Sequence, residues 1–291
     1  ADAARDTERA LRADGSAAAE VSVDAEQDTR PEVLVVEDSD ELREFIVNTL
    51  SANFRVAAAP HGEAGLAVAR EELPDLIVSD VMMPRMDGFE FCKAIKTDER
   101  TSHIPVVLLT ARGDRDSLMQ GLEEGADEYL TKPFDPAALV LRVRNLLETR
   151  QMLRARLATA VDRSVGNDRE AERERSAEAN LNRRDRAFLD RLGQFLGERY
   201  GDAELSVTEI AAAVAMSERQ LQRKLKALLN RSPTEHLRIY RLHRAADLIR
   251  EGHPVGTVAM DTGFSSASHF GACFKALFDT TPGEYAKNAP N

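Results

Sequence analysis

The sequence predicts a doubly wound α/β domain with a five-stranded parallel sheet, followed by an all-α domain that carries two helix-turn-helix units. Three observations lead there. Five short apolar runs alternate with helix-length segments between residues 33 and 149. From 186 to 287 the periodicity is helical almost throughout. That helical region contains a short helix, a turn and a longer helix twice over.

The apolar runs lie at 33–36, 54–58, 76–78, 106–109 and 128–130. Near-continuous β-branched and aliphatic strands, each followed by a helix, belong to a parallel sheet covered on both faces. The intervening helices are expected at about 40–51, 62–72, 87–99, 114–124 and 136–149. Residues 1–30 hold few large apolar groups and read as a flexible lead-in. The domain limits expected are 31–150 for the α/β domain, 151–182 for a helical linker and 183–291 for the helical domain. Leu139, Leu146, Leu153 and Ala160 recur every seven residues, so the last α/β helix continues either into a short coiled coil or into a solvated linker helix. In the helical domain Pro233, Pro254 and Pro282 fit helix starts, and Gly201, Gly252 and Gly263 fit helix ends. About seven helices are expected there.

Charge separates the two halves. The chain carries a net charge of -11, yet residues 1–150 hold 17 basic and 31 acidic side chains while residues 181–291 hold 16 and 13. A basic end is therefore hidden in an acidic chain, as expected of a module that meets nucleic acid. The two cysteines, Cys92 and Cys273, are far apart and form no C-x-x-C pair, which disfavours a disulfide framework or a zinc site and fits a reducing, cytoplasmic compartment. No apolar run approaches the ~18 residues that cross a bilayer. Ala1 to Arg12 are too polar for a signal peptide.

Four groups fall at the carboxyl ends of predicted strands: Glu37-Asp38, Ser79-Asp80, Thr110-Ala111 and Thr131-Lys132-Pro133. In an open α/β sheet the ligand crevice lies outside those ends, so groups nearly 100 residues apart converge. Three carboxylates in one crevice repel each other and stay ionised only beside a compensating cation. Oxygen donors with open positions favour Mg²⁺. In that setting Asp80 is the expected nucleophile toward a phosphoryl group, with Glu37, Asp38 and Asp80 on the ion. Lys132 and the Thr110 hydroxyl would hold phosphoryl oxygens.

The segments VLVVEDSD, LIVSDVMMPRMDGFEFCKAIK, IPVVLLTA and GADEYLTKPF resemble the response-regulator receiver family across residues 32–149. The resemblance implies a flavodoxin-like strand order, Asp80 as phosphoacceptor, the Met82 backbone carbonyl as a further metal ligand, and Tyr129 as an aromatic switch. Glu37-Asp38 stands where many members have Asp-Asp. Haloacid-dehalogenase-like phosphatases also use a strand-end Asp with Mg²⁺, but they place an acid/base Asp two residues later. Met82 occupies that position here, so a catalytic phosphatase is not expected.

In the segment 205–230 a helix over about 207–214 precedes a turn at Ala215-Met216 and the natural N-cap Ser217. Leu221, Leu225 and Leu228 then form one stripe; Arg219, Gln222, Arg223 and Lys226 form the opposite one. Arg reads guanine and Gln reads adenine through bidentate hydrogen bonds in a major groove. A second unit follows at 254–279, with Phe270, Phe274 and Leu277 expected to face inward. The single helix between the units, over 234–250, spaces them for successive grooves.

Residues 186–287 resemble the AraC-type DNA-binding domain, most specifically in GFSSASHFGACFKALFDTTPGEYAK. The resemblance implies operator binding, with contacts from Arg219, Gln222 and Arg223, then from Ala267, Ser268, His269 and Ala272. The second set has little polar reach. It either meets thymine methyls, touches phosphates through Ser266, Ser268 or Lys275, or adds affinity alone. His269 is equally compatible with a local structural role. The partners expected are a histidine kinase, a double-stranded operator and, on phosphorylation, a second copy of the chain. Because such a pair of domains also ends hybrid sensor kinases, and because the chain begins at Ala1, the kinase could stand upstream in the same polypeptide, which would tether the protein to the inner membrane.

Overall fold

The computed structural model describes residues 30–111, 125–164 and 182–288. The lead-in up to residue 29, the helix expected at 114–124 and the segment 165–181 lie outside the described residues.

The α/β domain is built from β1 (Glu32–Val36), α1 (Asp40–Ser51), β2 (Arg55–Ala59), α2 (Gly62–Glu72), β3 (Leu76–Asp80), α3 (Gly88–Thr97), β4 (Val106–Ala111), β5 (Glu128–Lys132) and α4 (Pro136–Ser164). All pairings are parallel and the strand order is β2-β1-β3-β4-β5. Every predicted strand is present. β3, β4 and β5 each run two residues further than their apolar runs, so Asp80, Thr110 and Lys132 are the strands' own last residues or next to last.

The two sides of the sheet follow from the period-two alternation of side chains. Leu34, Val36, Ile77 and Leu108 pack with Phe91, Cys92 and Ile95 of α3 and Ala69 of α2. Val33, Val35, Val78, Val107 and Leu109 pack with Ile46 and Leu50 of α1 and with Leu139, Val143 and Leu147 of α4. α3 is capped by Asp87, whose carboxylate accepts from the Phe89 and Glu90 amides while the Glu90 carboxylate accepts from the Asp87 amide. Gly88 is required at that start for a spatial reason. A Cβ there would lie 2.2 Å from the Asp80 carbonyl oxygen and 2.8 Å from Val81 Cα. Gly88→Ala must displace backbone, and is expected to cost about 1–3 kcal/mol, read as a lower denaturant midpoint.

α4 is 29 residues long, about 44 Å at 1.5 Å per residue. Three of the four residues of its heptad stripe pack within the chain. Leu139 and Leu146 pack on the sheet, and Ala160 is buried further along the same helix. Beyond residue 150 the helix enters the second domain, where Leu157 and Ala158 join that domain's core.

The helical domain contains α5 (Arg183–Arg199), α6 (Val207–Ala213), α7 (Glu218–Leu229), α8 (Pro233–Arg250), α9 (Val255–Asp261), α10 (Ala267–Phe278) and α11 (Pro282–Asn288). Ser206 with Glu209, Ser217 with Gln220, and Ser232 with Glu235 form three successive capping boxes, so the sequence pattern S-x-x-E/Q sets three helix starts locally. The domain has two cores. Phe188, Leu192, Ile210, Leu221, Leu225, Leu228 and Leu237 form the first. Leu242, Ala246, Val258, Phe264, Phe270 and Phe274 form the second, with Leu277 packed against it. α8 contributes to both, so it is the rigid bar that relates the two units. The two helix-turn-helix turns both take a left-handed residue, Ala215 at φ 55° and Gly263 at φ 76°. Gly263 also sits where a Cβ would meet the Tyr200 carbonyl at 2.7 Å and the Arg241 guanidinium at 2.9 Å.

His236 on α8 is buried, and burial followed by the nearby Arg231 charge lowers its pKa to about 4. An unfolded histidine titrates near 6.5, so below that pH the unfolded chain takes up a proton that the native one refuses. Stability is therefore lost as pH falls from about 6.5 to about 4, by about 3 kcal/mol for this one group. Urea unfolding at intervals across that range should show this slope in the wild type and a flatter one in His236→Gln.

Candidate functional site

The crevice forms at the point where strand order reverses, outside the ends of β1 and β3, where ligands are held in sheets of this kind. Glu37 follows β1 directly and is 1% exposed; Asp80 ends β3 and is 6% exposed. Asp38 is exposed beside them. One carboxylate oxygen from each of Glu37, Asp38 and Asp80 lies within 4.8 Å of the others. From β5, the Lys132 ammonium reaches Asp80 Oδ1 at 2.7 Å and Glu37 Oε2 at 2.9 Å. Burial, and then the Asp80 charge, push the Glu37 carboxyl above its ordinary range, against the pull of Lys132.

The Thr110 hydroxyl is buried at the end of β4 and has no hydrogen-bond partner among the described residues. A buried hydroxyl left unpaired costs free energy, and this one sits one residue beyond Leu109, the register partner of Asp80. The Tyr129 hydroxyl is also buried without a partner. Its ring packs against the α2–α3 side of the core, and burial pushes its pKa up to about 12. Met82 presents an exposed side chain just past β3. The structure thus brings Glu37, Asp38, Asp80 and Lys132 into direct proximity, places Thr110 next to last on the neighbouring β4 and Met82 two residues past Asp80, and leaves Tyr129 near the amino end of β5, three residues before Lys132.

The donor set is wholly oxygen, partly buried and overbalanced by negative charge, with one lysine opposing three carboxylates. That composition suits a hard divalent cation such as Mg²⁺. Burial is the main reason the Glu37 carboxyl is raised, and the Asp80 charge adds to it; a cation in the crevice would favour the ionised form of both.

In the helical domain Ser217 caps α7 by accepting from the Gln220 amide. Arg219, Gln222 and Lys226 are exposed on α7, and Arg223 is half-buried. Arg219 pairs with Glu72, and Arg223 lies 3.5 Å from Glu72 and 3.8 Å from Glu32, all acids of the α/β domain. On α10, Ser266 caps the helix through the His269 amide. Ala267, Ser268, His269, Ala272 and Lys275 are all exposed. The His269 ring stands edge-on to Phe264 with centroids 5.9 Å apart.

One residue on α7 was not legible in sequence. Lys224 is adjacent to the polar stripe yet 0% exposed. Its ammonium meets Asp185 Oδ1 at 2.7 Å, the Glu99 carbonyl, and the face of Phe188 at 5.0 Å. Asp185 in turn accepts from the Ser102 hydroxyl at 2.8 Å. Its positional pattern resembles that of any surface lysine, and nothing local marks its partners.

The fold and its strand-end carboxylates define a receiver-type α/β domain joined to a helix-turn-helix domain. The chain belongs to the response regulators: residues 33–144 match the response regulator receiver domain and residues 210–288 match a helix-turn-helix domain of the AraC type. It is 35% identical over 207 residues to the transcriptional regulatory protein AfsQ1 of Streptomyces coelicolor, covering 71% of this chain and 80% of that one. It is also 35% identical over 254 residues to histidine kinase P4 of Formosa agariphila, covering 87% of this chain but 18% of the kinase. Among solved structures it is similar to chemotaxis protein CheY4 of Vibrio cholerae, at 35% identity and a TM-score of 0.39 over 40% of this chain and 98% of that one. The chain thus spans only 18% of the length of that histidine kinase and 25% of the response regulator PleD of Caulobacter vibrioides, another relative. Among the described residues no helix is long and apolar enough to cross a membrane.

Proposed function

We propose that this chain is a phosphorylation-controlled, sequence-specific transcription regulator in which Asp80 accepts a phosphoryl group from a histidine kinase. The single observation that carries the reading is the Asp80–Lys132–Glu37 cluster on the same chain as two helix-turn-helix units. The Asp80 carboxylate oxygen bonds to phosphorus as the bond from phosphorus to the histidine nitrogen breaks, and the imidazole leaves. Lys132, already 2.7 Å from Asp80, follows the new charge onto a phosphoryl oxygen. The unpaired Thr110 hydroxyl donates to another. Glu37, Asp38, Asp80 and the Met82 carbonyl would hold Mg²⁺, which neutralises charge on the transferring group. Met82 stands two residues beyond Asp80, where a phosphatase of the haloacid-dehalogenase type carries its acid/base Asp, which supports a phosphoacceptor with at most slow self-dephosphorylation rather than an enzyme.

Thr110 and Lys132 move toward the phosphoryl group, and Tyr129 turns into the space left beside them. Receivers altered in this way pair, and pairing raises the effective concentration of two DNA-binding domains on a repeated operator inside the cell. Arg219, Gln222 and Arg223, with Ser217 and Lys226 beside them, read one major groove. The α10 surface of Ser266, Ala267, Ser268, His269, Ala272 and Lys275 meets the next, through methyl groups and phosphates more than through base hydrogen bonds.

The test is selection of duplexes from a random pool by the protein with and without an acyl phosphate. A sequence enriched only on phosphorylation, and lost in Asp80→Ala, supports the reading. Equal affinity in both states, with Asp80→Ala behaving as wild type, sinks it. On the selected duplex, Arg219→Ala and Arg223→Ala are each expected to cost about 1–3 kcal/mol and to relax specificity at one base pair.

A second reading makes this chain the output end of a hybrid sensor kinase. The match of 87% of the chain to 18% of a histidine kinase favours it. The gene sequence upstream of Ala1 distinguishes the two.

A further inference from the structure

The first recognition helix is only partly open to solvent. Its reading stripe lies against the receiver, on the edge formed by the start of β1, the end of α2 and the loops before β3 and β4. Arg219 and Arg223 are held by Glu72 and Glu32. Gln220 Nε2 donates to the Arg70 carbonyl at 3.4 Å, and Arg223 donates to the Leu73 carbonyl at 3.5 Å. Carboxylates and carbonyl oxygens of the receiver thus occupy the places that phosphate oxygens and base-edge acceptors would take on DNA. Gln222 and Lys226 line the remaining cleft, of about 500 Å³, opposite Glu32 and Asp75.

Behind the stripe, a buried polar node fastens the two domains. Lys224 and Asp185 have side chains 0% and 2% exposed. Ser102 of the receiver donates to Asp185, and Asn182 Nδ2 donates to the Ser102 carbonyl at 3.0 Å. Arg191 pairs with Glu99 at the rim. A buried ion pair is retained only when its remaining hydrogen-bonding groups are satisfied. Here the receiver supplies two of those partners, the Glu99 carbonyl and the Ser102 hydroxyl.

We propose that this receiver edge is a docking surface for α7, complementary in charge to its DNA-reading stripe, and that docking keeps the first recognition helix off DNA. A major groove about 12 Å wide is filled by one helix of about 10–12 Å with its side chains. No receiver edge fits between that helix and the bases, so docking and groove reading exclude each other. The docking surface lies at the amino ends of the strands, whereas Asp80 lies at their carboxyl ends. Phosphorylation therefore cannot displace α7 by contact. The described element shared by both ends is α4. It begins four residues after Lys132 and packs on the sheet through Leu139 and Val143. It then enters the helical domain through Leu157 and Ala158. The inference rests on α7 being a DNA-reading helix, as proposed above.

The experiment uses the full chain carrying Glu72→Arg and Glu99→Arg, two partly exposed acids outside the phosphoryl site. Two measurements are made: hydrogen exchange of segments 70–75, 98–103 and 182–186, and anisotropy titration of a random-sequence duplex at low salt. Apparent affinity scales with the undocked fraction. The expected result is faster exchange in those segments, and DNA affinity of the unphosphorylated variant raised roughly tenfold or more. Arg219→Ala with Arg223→Ala should also speed exchange but weaken DNA binding. Segments that exchange as free loops in the wild type overturn the docking. Exchange that rises in the charge-reversed variant with no gain in affinity overturns its inhibitory role. Protected segments in a protein whose DNA binding ignores Arg219→Ala and Arg223→Ala overturn instead the reading of α7, and the inference falls with it.

Discussion

Asp80→Asn is expected to abolish phosphoryl incorporation from an acyl phosphate while leaving a folded protein. The substitution keeps the shape of a side chain that is 6% exposed and replaces the nucleophilic carboxylate with an amide. Lys132 retains Glu37 as a partner at 2.9 Å, so no buried charge is stranded. Glu37 also loses one of the two influences that raise its pKa. Three mutually repelling carboxylates become two, and the thermal midpoint should be no lower than that of the wild type. Labelling should fall by ~10³-fold or more. Mass spectrometry of the labelled wild type should place the acid-stable, base-labile phosphoryl group on the peptide containing Asp80. Undiminished labelling of Asp80→Asn, or a label on another carboxylate, would falsify the assignment.

The second large effect is on stability. Phe274 is 0% exposed and is the centre of the second core. Its ring lies 5.5 Å from Phe270, 4.5 Å from Phe278 and 5.4 Å from Tyr285. Phe274→Ala removes burial and leaves a cavity, at about 3–5 kcal/mol, within a domain whose total stability is ordinarily about 5–15 kcal/mol. Because the second core is a separate cluster from the one around Phe188 and Leu221, the loss should be local. Circular dichroism should show α9, α10 and α11 melting ahead of the rest, and the protected stretch of operator should shorten by one groove. Phosphorylation of Asp80 should persist. A single cooperative transition at the wild-type temperature would show that the second unit does not depend on this cluster.

The acidic site was largely readable because its grammar is local. An apolar strand that ends in a carboxylate identifies itself within a few residues, and a parallel sheet brings such ends together without further information. The capping boxes at Ser206, Ser217 and Ser232 are equally local, since Ser and Glu or Gln three residues apart complete each other's hydrogen bonds. The inward turn of Tyr129 was not readable. Its position on β5 alternates with Glu128 and Leu130, and tertiary packing on that side of the sheet, not the local pattern, determines what its ring meets.

Periodicity and helix caps carried the strands, the helix starts and the opposed stripes of α7, because each depends on neighbours within about four residues. The partners of those stripes are a different matter. Lys224 and Asp185 lie 39 positions apart, and Ser102 lies 83 from Asp185. Arg219 meets Glu72 across 147 positions. A surface arginine looks the same in sequence whether it awaits a guanine or rests on a receiver carboxylate. The direction of α4 beyond residue 150 separates those cases. By burying Leu157 and Ala158 in the core that holds Leu221 and Leu225 of α7, it ties that helix, with its reading face, to the receiver.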